Sequence, residues 1–319
     1  MYDAHNMFSE HILIPLGGMH LIKKTPAEPG RVHRLSSISQ KSYFAGDLVR
    51  SLCFYTPPQD GQPPKYISDD PSLKGSRNYP HHEVPVQIRD IREIRSKFTL
   101  ARHGFAALTK PDMDNVDFTI DEQVETYYLP KVRNLILDYL CGSQSVIVFD
   151  TTIRQAAASG RCQKPVRKIH VDQSPRGAYR RARHVLPKGD AEMVLEGERR
   201  YRIINVWKPI YNEVMDHPLV FADSRSVLEE DLIPVEQVYP HYVGETYATR
   251  HNPEQEYWYW SNMTTHDIIL FQCFDSIGEL NENGEMESAR CAHGSFNLSG
   301  TKDELSARSS IEVRCIVLG

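Results

Sequence analysis

The chain has 319 residues, 25% of them charged and 40% hydrophobic, with a formal net charge of -5 at pH 7. A slight acidic excess argues against a surface built for nucleic acid. No apolar run approaches the length that spans a bilayer, and Met1-Tyr2-Asp3-Ala4-His5 lacks a basic-then-apolar leader, so a soluble cytoplasmic protein is expected.

The six cysteines, Cys53, Cys141, Cys162, Cys273, Cys291 and Cys315, are scattered without a Cys-x-x-Cys pair and read as reduced structural thiols. Cys291 stands two residues before His293 and is expected to be packed rather than to bind metal.

In chain order, residues 1–80 show little sustained periodicity. Ile12-Leu13-Ile14-Pro15-Leu16 and Tyr43-Phe44 are short apolar islands, and the proline-rich run 55–64 reads as an extended loop. This segment is expected to be an N-terminal extension or wrapping arm, available as a homodimer contact, with the main domain over 81–319. Alternation predicts strands at 84–89 and 105–108. From about 121 the spacing of Val132, Leu135, Ile136, Tyr139 and Leu140 predicts a helix with a kink at Pro130 and an end near Gly142. Residues 146–149 read as a short buried strand.

The run 176–183 holds Arg176, Arg180, Arg181 and Arg183. Its plain reading is a solvated turn or helix, and its sharper one a site for an anionic group on a substrate. Residues 189–200 read as a charged surface helix. A strand at 201–210 puts Ile203, Asn205 and Trp207 on one face, as in a pocket wall or a core edge. Further strands are expected at 232–243, 246–249, 257–260 and 268–274. Turn signals between them, without helix–strand alternation, predict a mainly β sandwich or barrel.

Within Lys168-Ile169-His170-Val171-Asp172-Gln173-Ser174, a strand would project His170 and Asp172 from one face. Such a pair supplies two of the three ligands of the 2-His-1-carboxylate triad that holds non-haem Fe(II). Downstream come Cys291-Ala292-His293-Gly294 and then Arg308-Ser309-Ser310. This order has a chemical logic: iron that activates O2 needs a two-electron co-reductant, and 2-oxoglutarate chelates the metal through its 2-oxo acid end. Its far carboxylate needs an anchor, which an arginine fork with a serine hydroxyl provides. Arg308 and Ser310 share strand parity and so suit that role.

Several further runs carry a resemblance. They are His103-Gly104-Phe105, Val148-Phe149-Asp150 with Thr152-Ile153-Arg154, His170-Val171-Asp172-Gln173-Ser174 with Gly177-Ala178, and Asn205-Val206-Trp207-Lys208-Pro209-Ile210. Later ones are Asp223-Ser224-Arg225-Ser226-Val227, Gly244-Glu245-Thr246-Tyr247, Cys273-Phe274-Asp275-Ser276 and Ile311-Glu312-Val313-Arg314. From about residue 89 onward the chain resembles the fungal hydroxylase/desaturase family of Fe(II)/2-oxoglutarate-dependent oxygenases, which includes gibberellin desaturase, with the cephamycin methoxylation protein a more distant relative. It departs from the family pattern in having no proline before His293 and Thr151 where a histidine is common.

The resemblance implies a double-stranded β-helix, or jelly-roll, core with helical additions. It further implies iron on His170, Asp172 and His293, the cosubstrate carboxylate on Arg308 and Ser310, and Asn205 and Trp207 along the cosubstrate or substrate side. Turnover would release succinate and CO2 while oxidising a small secondary metabolite, terpenoid or amino-acid-derived. Hydroxylation, desaturation, cyclisation and peroxide formation are all open outcomes. Two alternatives use the same residues: a zinc hydrolase, which has no need of Arg308 and Ser310, and a non-catalytic jelly-roll binding protein, which would have lost a ligand. His251 and His266 are rivals for the third ligand position, and His184 reads as a surface residue.

Overall fold

A computed structural model describes residues 45–68, 75–155, 163–280, 286–287, 290–298 and 308–319. The apolar islands at 12–16 and 43–44 lie outside these residues, as does Cys162. The first strands are β1 (Leu48–Tyr55), β2 (Lys65–Ile67), β3 (Ser76–Arg77) and β4 (His81–Asp90). A short helix α1 (Leu100–His103) leads to β5 (Phe105–Thr109), and α2 (Asp121–Gln123) with α3 (Leu129–Tyr139) leads to β6 (Ser145–Gln155). Then follow β7 (His170–Val171), the helices α4 (Pro175–Val185) and α5 (Lys188–Leu195), and the strands β8 (Tyr201–Pro209), β9 (Leu219–Ala222), β10 (Leu232–Tyr239), β11 (Tyr242–Thr249), β12 (Tyr257–Tyr259) and β13 (Asp267–Asp275). A small hairpin, β14 (Glu279–Leu280) and β15 (Met286–Glu287), precedes β16 (His293–Ser295) and β17 (Ser309–Leu318).

The expected mainly β, jelly-roll core is present as two facing sheets. One has ten strands in the order β1-β4-β12-β9-β16-β7-β11-β10-β2-β3, and the other five, β5-β13-β8-β17-β6. Between them lies an apolar core that takes Val220 and Phe221 from the large sheet and Ile203, Trp207 and Phe271 from the small one. The outer face of the small sheet is covered as well: Ile204, Val206, Ile311 and Val313 pack against Val132, Leu135 and Ile136 of α3. A strand covered on both faces loses the polar alternation of a half-exposed one. All nine residues of β8 are accordingly buried, and β8 still separates two environments by parity.

Several sequence expectations change in detail. The strand expected at 146–149 runs from Ser145 to Gln155 with a mostly half-buried pattern, because it forms the edge of the five-stranded sheet. The segment 232–249 is a hairpin that turns between Tyr239 and Tyr242, where Pro240 interrupts pairing. β1 was not legible as a strand, since at the outer edge of the large sheet only three of its eight residues are buried. Pro130 does not kink α3. It lies in the first turn, where no backbone N–H donor is required, after a π-helical turn at Val124–Tyr128. The charged segment 189–200 forms α5 only as far as Leu195.

Candidate metal centre

The site is built where a two-residue strand of the large sheet ends. β7 pairs with β11 on one side and β16 on the other, which sets His170 directly opposite His293. The chain then leaves the sheet at Asp172, because Ser174 starts α4: its Oγ accepts from the Gly177 N–H at 3.0 Å and donates to Glu245 Oε1 at 2.6 Å. Gly177 is required by space alone, since a Cβ there would lie 2.0 Å from the Glu245 carbonyl oxygen. Gly177→Ala is therefore expected to lower stability by about 1–3 kcal/mol as helix and strand are forced apart, readable as a fall in the urea unfolding midpoint; an unchanged midpoint would mean the helix shifts freely.

One ligand atom from each of His170, Asp172 and His293 lies within 4.8 Å of the others, the one such group of histidine, cysteine or carboxylate side chains among the described residues. The two rings are 4.5 Å apart between centroids. His170 Nδ1 is 2.8 Å from the Lys168 carbonyl oxygen and His293 Nδ1 is 3.0 Å from that of Cys291. A carbonyl only accepts, so both Nδ1 atoms carry the proton and both Nε2 atoms present lone pairs. His170 Nε2 then faces Asp172 Oδ1 at 3.2 Å with a lone pair on each side. Either a proton or a bound cation between them reconciles that arrangement, and two neutral imidazoles with one carboxylate are a donor set suited to a divalent ion such as Fe(II).

The second carboxylate oxygen of Asp172 is already committed. It accepts from Asn205 Nδ2 at 2.7 Å and from Arg314 Nε at 2.9 Å. Arg314 also binds Asp150 and Glu312 and lies 3.3 Å from the Thr152 hydroxyl. Burial alone would raise the Asp172 carboxyl, but the charge of Arg314, helped by His170, holds it well below its usual range. Asp172 thus stays ionised and offers Oδ1 to the open side.

Burial, reinforced by His170, pulls His293 down to about 3. Its imidazole is neutral near pH 7, as a metal ligand must be. In metal-free protein the unfolded chain takes up a proton near pH 6.5 that the folded state refuses, so stability falls as pH falls from about 6.5 towards 3. Relative to His293→Ala, the native protein is expected to lose about 2 kcal/mol more between pH 7 and pH 5. Urea titrations of both proteins at the two pH values would measure this, and parallel losses would refute the buried neutral imidazole.

Ser310 lies on β17 and Arg308 immediately precedes that strand, two residues away, at 0% and 2% exposure. The Arg308 guanidinium donates to the His217 carbonyl oxygen at 2.6 Å and rests over the Trp207 ring, 5.5 Å from its centroid. Among the described residues its Nε, the Ser310 hydroxyl and the Trp207 indole N–H are buried without hydrogen-bond partners. Among the described residues Arg308 has no carboxylate within ion-pair distance, and burial, together with Arg154, draws its guanidinium down to about 9. A buried cation beside an unused hydroxyl fits the far carboxylate of 2-oxoglutarate.

The rivals fall elsewhere. His251 stacks edge-on against Phe54 at 5.0 Å, His266 lies 2.8 Å from Asp114, and His184 packs near Tyr242. Cys291 is fully buried and its thiol is pushed up by burial, so it is packed as expected. His170, Asp172 and His293 are thus brought together, with Asn205 bonded to Asp172, and Arg308 lies over Trp207; Arg314 and Glu312 were not singled out by sequence reasoning. The signal was parity: Ser310, Glu312 and Arg314 alternate along one strand.

The family model described as "Oxidoreductase/YMDC permease-like domain" matches residues 52–318. The alpha-ketoglutarate-dependent dioxygenase tstK of Talaromyces stipitatus is 30% identical over 84% of this chain and 95% of its own length. The dioxygenase phiK of a fungal species is 31% identical over 86% and 96%. The chain belongs to this fungal family of Fe(II)/2-oxoglutarate-dependent dioxygenases. Among solved structures, the iron and alpha-ketoglutarate-dependent endoperoxidase NvfI superposes with a TM-score of 0.73 at 23% identity, covering 86% of this chain and 98% of that one, which shows the shared fold. No helix among the described residues of this dioxygenase-family chain is long and apolar enough to cross a membrane.

A cavity of about 570 Å³ opens onto His170 and Asp172. Its walls come from β6, β10, β11, α4 and the β2–β3 edge of the large sheet. Arg308, Ser310 and Trp207 lie outside this lining, deeper in the fold.

Proposed function

We propose that this member of the family binds Fe(II) through His170, Asp172 and His293, and holds the far carboxylate of 2-oxoglutarate with Arg308 and Ser310. It then oxidises an unactivated C–H bond of a small secondary metabolite, releasing succinate and CO2. The observation that carries the reading is the convergence of two imidazole lone pairs and one carboxylate oxygen, in a fold that also buries an arginine with no carboxylate partner among the described residues. When bound, iron with 2-oxoglutarate and O2 supplies the two-electron oxidation.

The chain's own residues position and exclude. The Lys168 and Cys291 carbonyls fix the two ring orientations, and Asn205 with Arg314 fixes the Asp172 rotamer. Trp207 covers Arg308, and the small sheet keeps water from the anchor. Hydroxylation, desaturation, cyclisation and endoperoxide formation differ in where the substrate carbon is held, which is a property of the cavity walls. A terpenoid or amino-acid-derived substrate is the class proposed, and one relative is named for aspirochlorine biosynthesis. Free thiols at Cys53, Cys141, Cys273, Cys291 and Cys315 suit the reducing cytoplasm.

The test is anaerobic addition of Fe(II) and then 2-oxoglutarate to the purified protein. A weak visible charge-transfer band is expected, and its loss in His293→Ala. A folded protein that gives no band, and retains zinc instead, would overturn the reading in favour of a hydrolase.

A further inference from the structure

The cavity that opens onto the candidate metal centre is electrostatically lopsided. Each carboxylate in its wall is already engaged: Asp150 and Asp172 by Arg314, and Glu245 by Ser174 Oγ and by Arg176 at 3.5 Å. Of the cations in the wall, Arg314 is engaged by these carboxylates and the others are not. Among the described residues, the side chains of Arg77, Lys168 and Arg181 have no ion pair or hydrogen bond, and Arg154 reaches only neutral acceptors, Gln163 Oε1 and the Lys164 carbonyl. The excess is local, since the whole chain carries a net charge of -5.

Two of these arginines are held in place by aromatic rings. Arg181, on α4, lies 4.4 Å from the Tyr242 ring centroid and 4.9 Å from that of Phe149, and its Nε is buried without a hydrogen-bond partner. Arg77, on β3, lies 5.7 Å from the Tyr66 centroid and 6.0 Å from that of Tyr79. Tyr66 in turn packs against Tyr239 at 6.1 Å, so both arginines belong to one rim of rings. Stacking on a ring face fixes a guanidinium while leaving its N–H edge free to donate. A buried N–H without a partner carries a cost that an incoming acceptor removes.

We infer that the substrate is a carboxylic acid with a flat or polycyclic apolar body, its carboxylate bound at the rim by Arg181 and Arg77 and its body lying along the tyrosine and phenylalanine faces towards His170 and Asp172. This rests on the oxygenase reading for the orientation of the body, but the carboxylate site is a separate feature. Arg308, the cosubstrate anchor, is outside the cavity lining. The rim therefore adds a second carboxylate-binding site and does not duplicate the first.

The probes are 2-naphthoate and 2-naphthamide, which differ in charge but hardly in shape, titrated into anaerobic protein saturated with Fe(II) and 2-oxoglutarate so that the buried anchor is taken. The acid is expected to bind about tenfold more tightly than the amide, with the preference shrinking as salt is raised. Arg181→Gln is expected to abolish the preference and Arg77→Gln to reduce it, while both variants keep the charge-transfer band of the loaded centre. Equal binding of acid and amide by the native protein, or a preference that survives both substitutions, would overturn the proposal with the oxygenase reading intact. Arg77 sits on a two-residue edge strand, so Arg77→Gln remains informative if Arg181→Gln fails to fold. Absence of the band in native protein would strike at the oxygenase reading instead.

Discussion

Arg308→Met is expected to make the empty protein more stable while raising the 2-oxoglutarate concentration for half-saturation by about two orders of magnitude or more. The native side chain is fully buried, donates a hydrogen bond to the His217 carbonyl and lies against Trp207, with no carboxylate among the described residues to balance its charge. Replacing buried ionic groups by apolar ones of similar volume is commonly neutral or stabilising, by about 1–4 kcal/mol. Methionine keeps the contact with the indole and removes the desolvated charge. The opposite holds with cosubstrate bound, because a carboxylate in that dry setting would lose its partner, a loss of about 3–5 kcal/mol. Urea unfolding without ligands and titration of the charge-transfer band with 2-oxoglutarate give the two halves. A lower unfolding midpoint with unchanged 2-oxoglutarate affinity would make Arg308 a structural residue and remove it from the site.

Six positions further along the chain, on β17, Arg314→Met is expected to do the reverse, destabilising the fold by about 3–5 kcal/mol at neutral pH. Arg314 holds Asp150, Asp172 and Glu312 at once, the last two with side chains only 12% and 8% exposed. Without it two buried carboxylates face each other through Asn205, whose amide donates to both. The sign of the pH dependence follows. Repulsion exists only while the carboxylates are ionised, so the deficit of the variant is expected to shrink as pH falls towards 4 and their protonation relieves it. Unfolding curves of native and variant protein from pH 7 to pH 4 would show converging midpoints. A constant difference would mean that Arg314 contributes packing rather than charge.

These two arginines also mark what the sequence could and could not reveal. His-x-Asp and Arg-x-Ser were legible because each pair lies two residues apart, where strand parity alone brings side chains to one side. The register of β7 against β16, which joins His170 to His293 across more than a hundred residues, came only from the order of motifs and the resemblance. Arg314 was visible as part of a recurring run, yet its partners Asp150 and Asp172 are remote in sequence, and nothing local shows that β6, β8 and β17 lie side by side. The acceptor for Arg308 is a backbone carbonyl in the segment between β8 and β9, which leaves no trace in residue type. β1 was missed for a different reason, since an edge strand need not repeat a buried face.

β8 is enclosed on both faces. Asn205 bonds Asp172 from one face, which it shares with Trp207, while Lys208 on the opposite face is wholly buried and bonded to Asp114 and to the Met113 carbonyl. The cavity rim is built from other material: the two-residue edge strand β3, the exposed helix α4 and the β10–β11 hairpin. Selection can therefore act on the two parts at different rates. A duplicated gene can exchange rim residues one at a time and explore new substrates, while almost any change in β8 disturbs two cores together. On this architecture, divergence of chemistry among relatives should be concentrated where the chain is thinnest, and the strand that backs the candidate metal centre should be the slowest to drift.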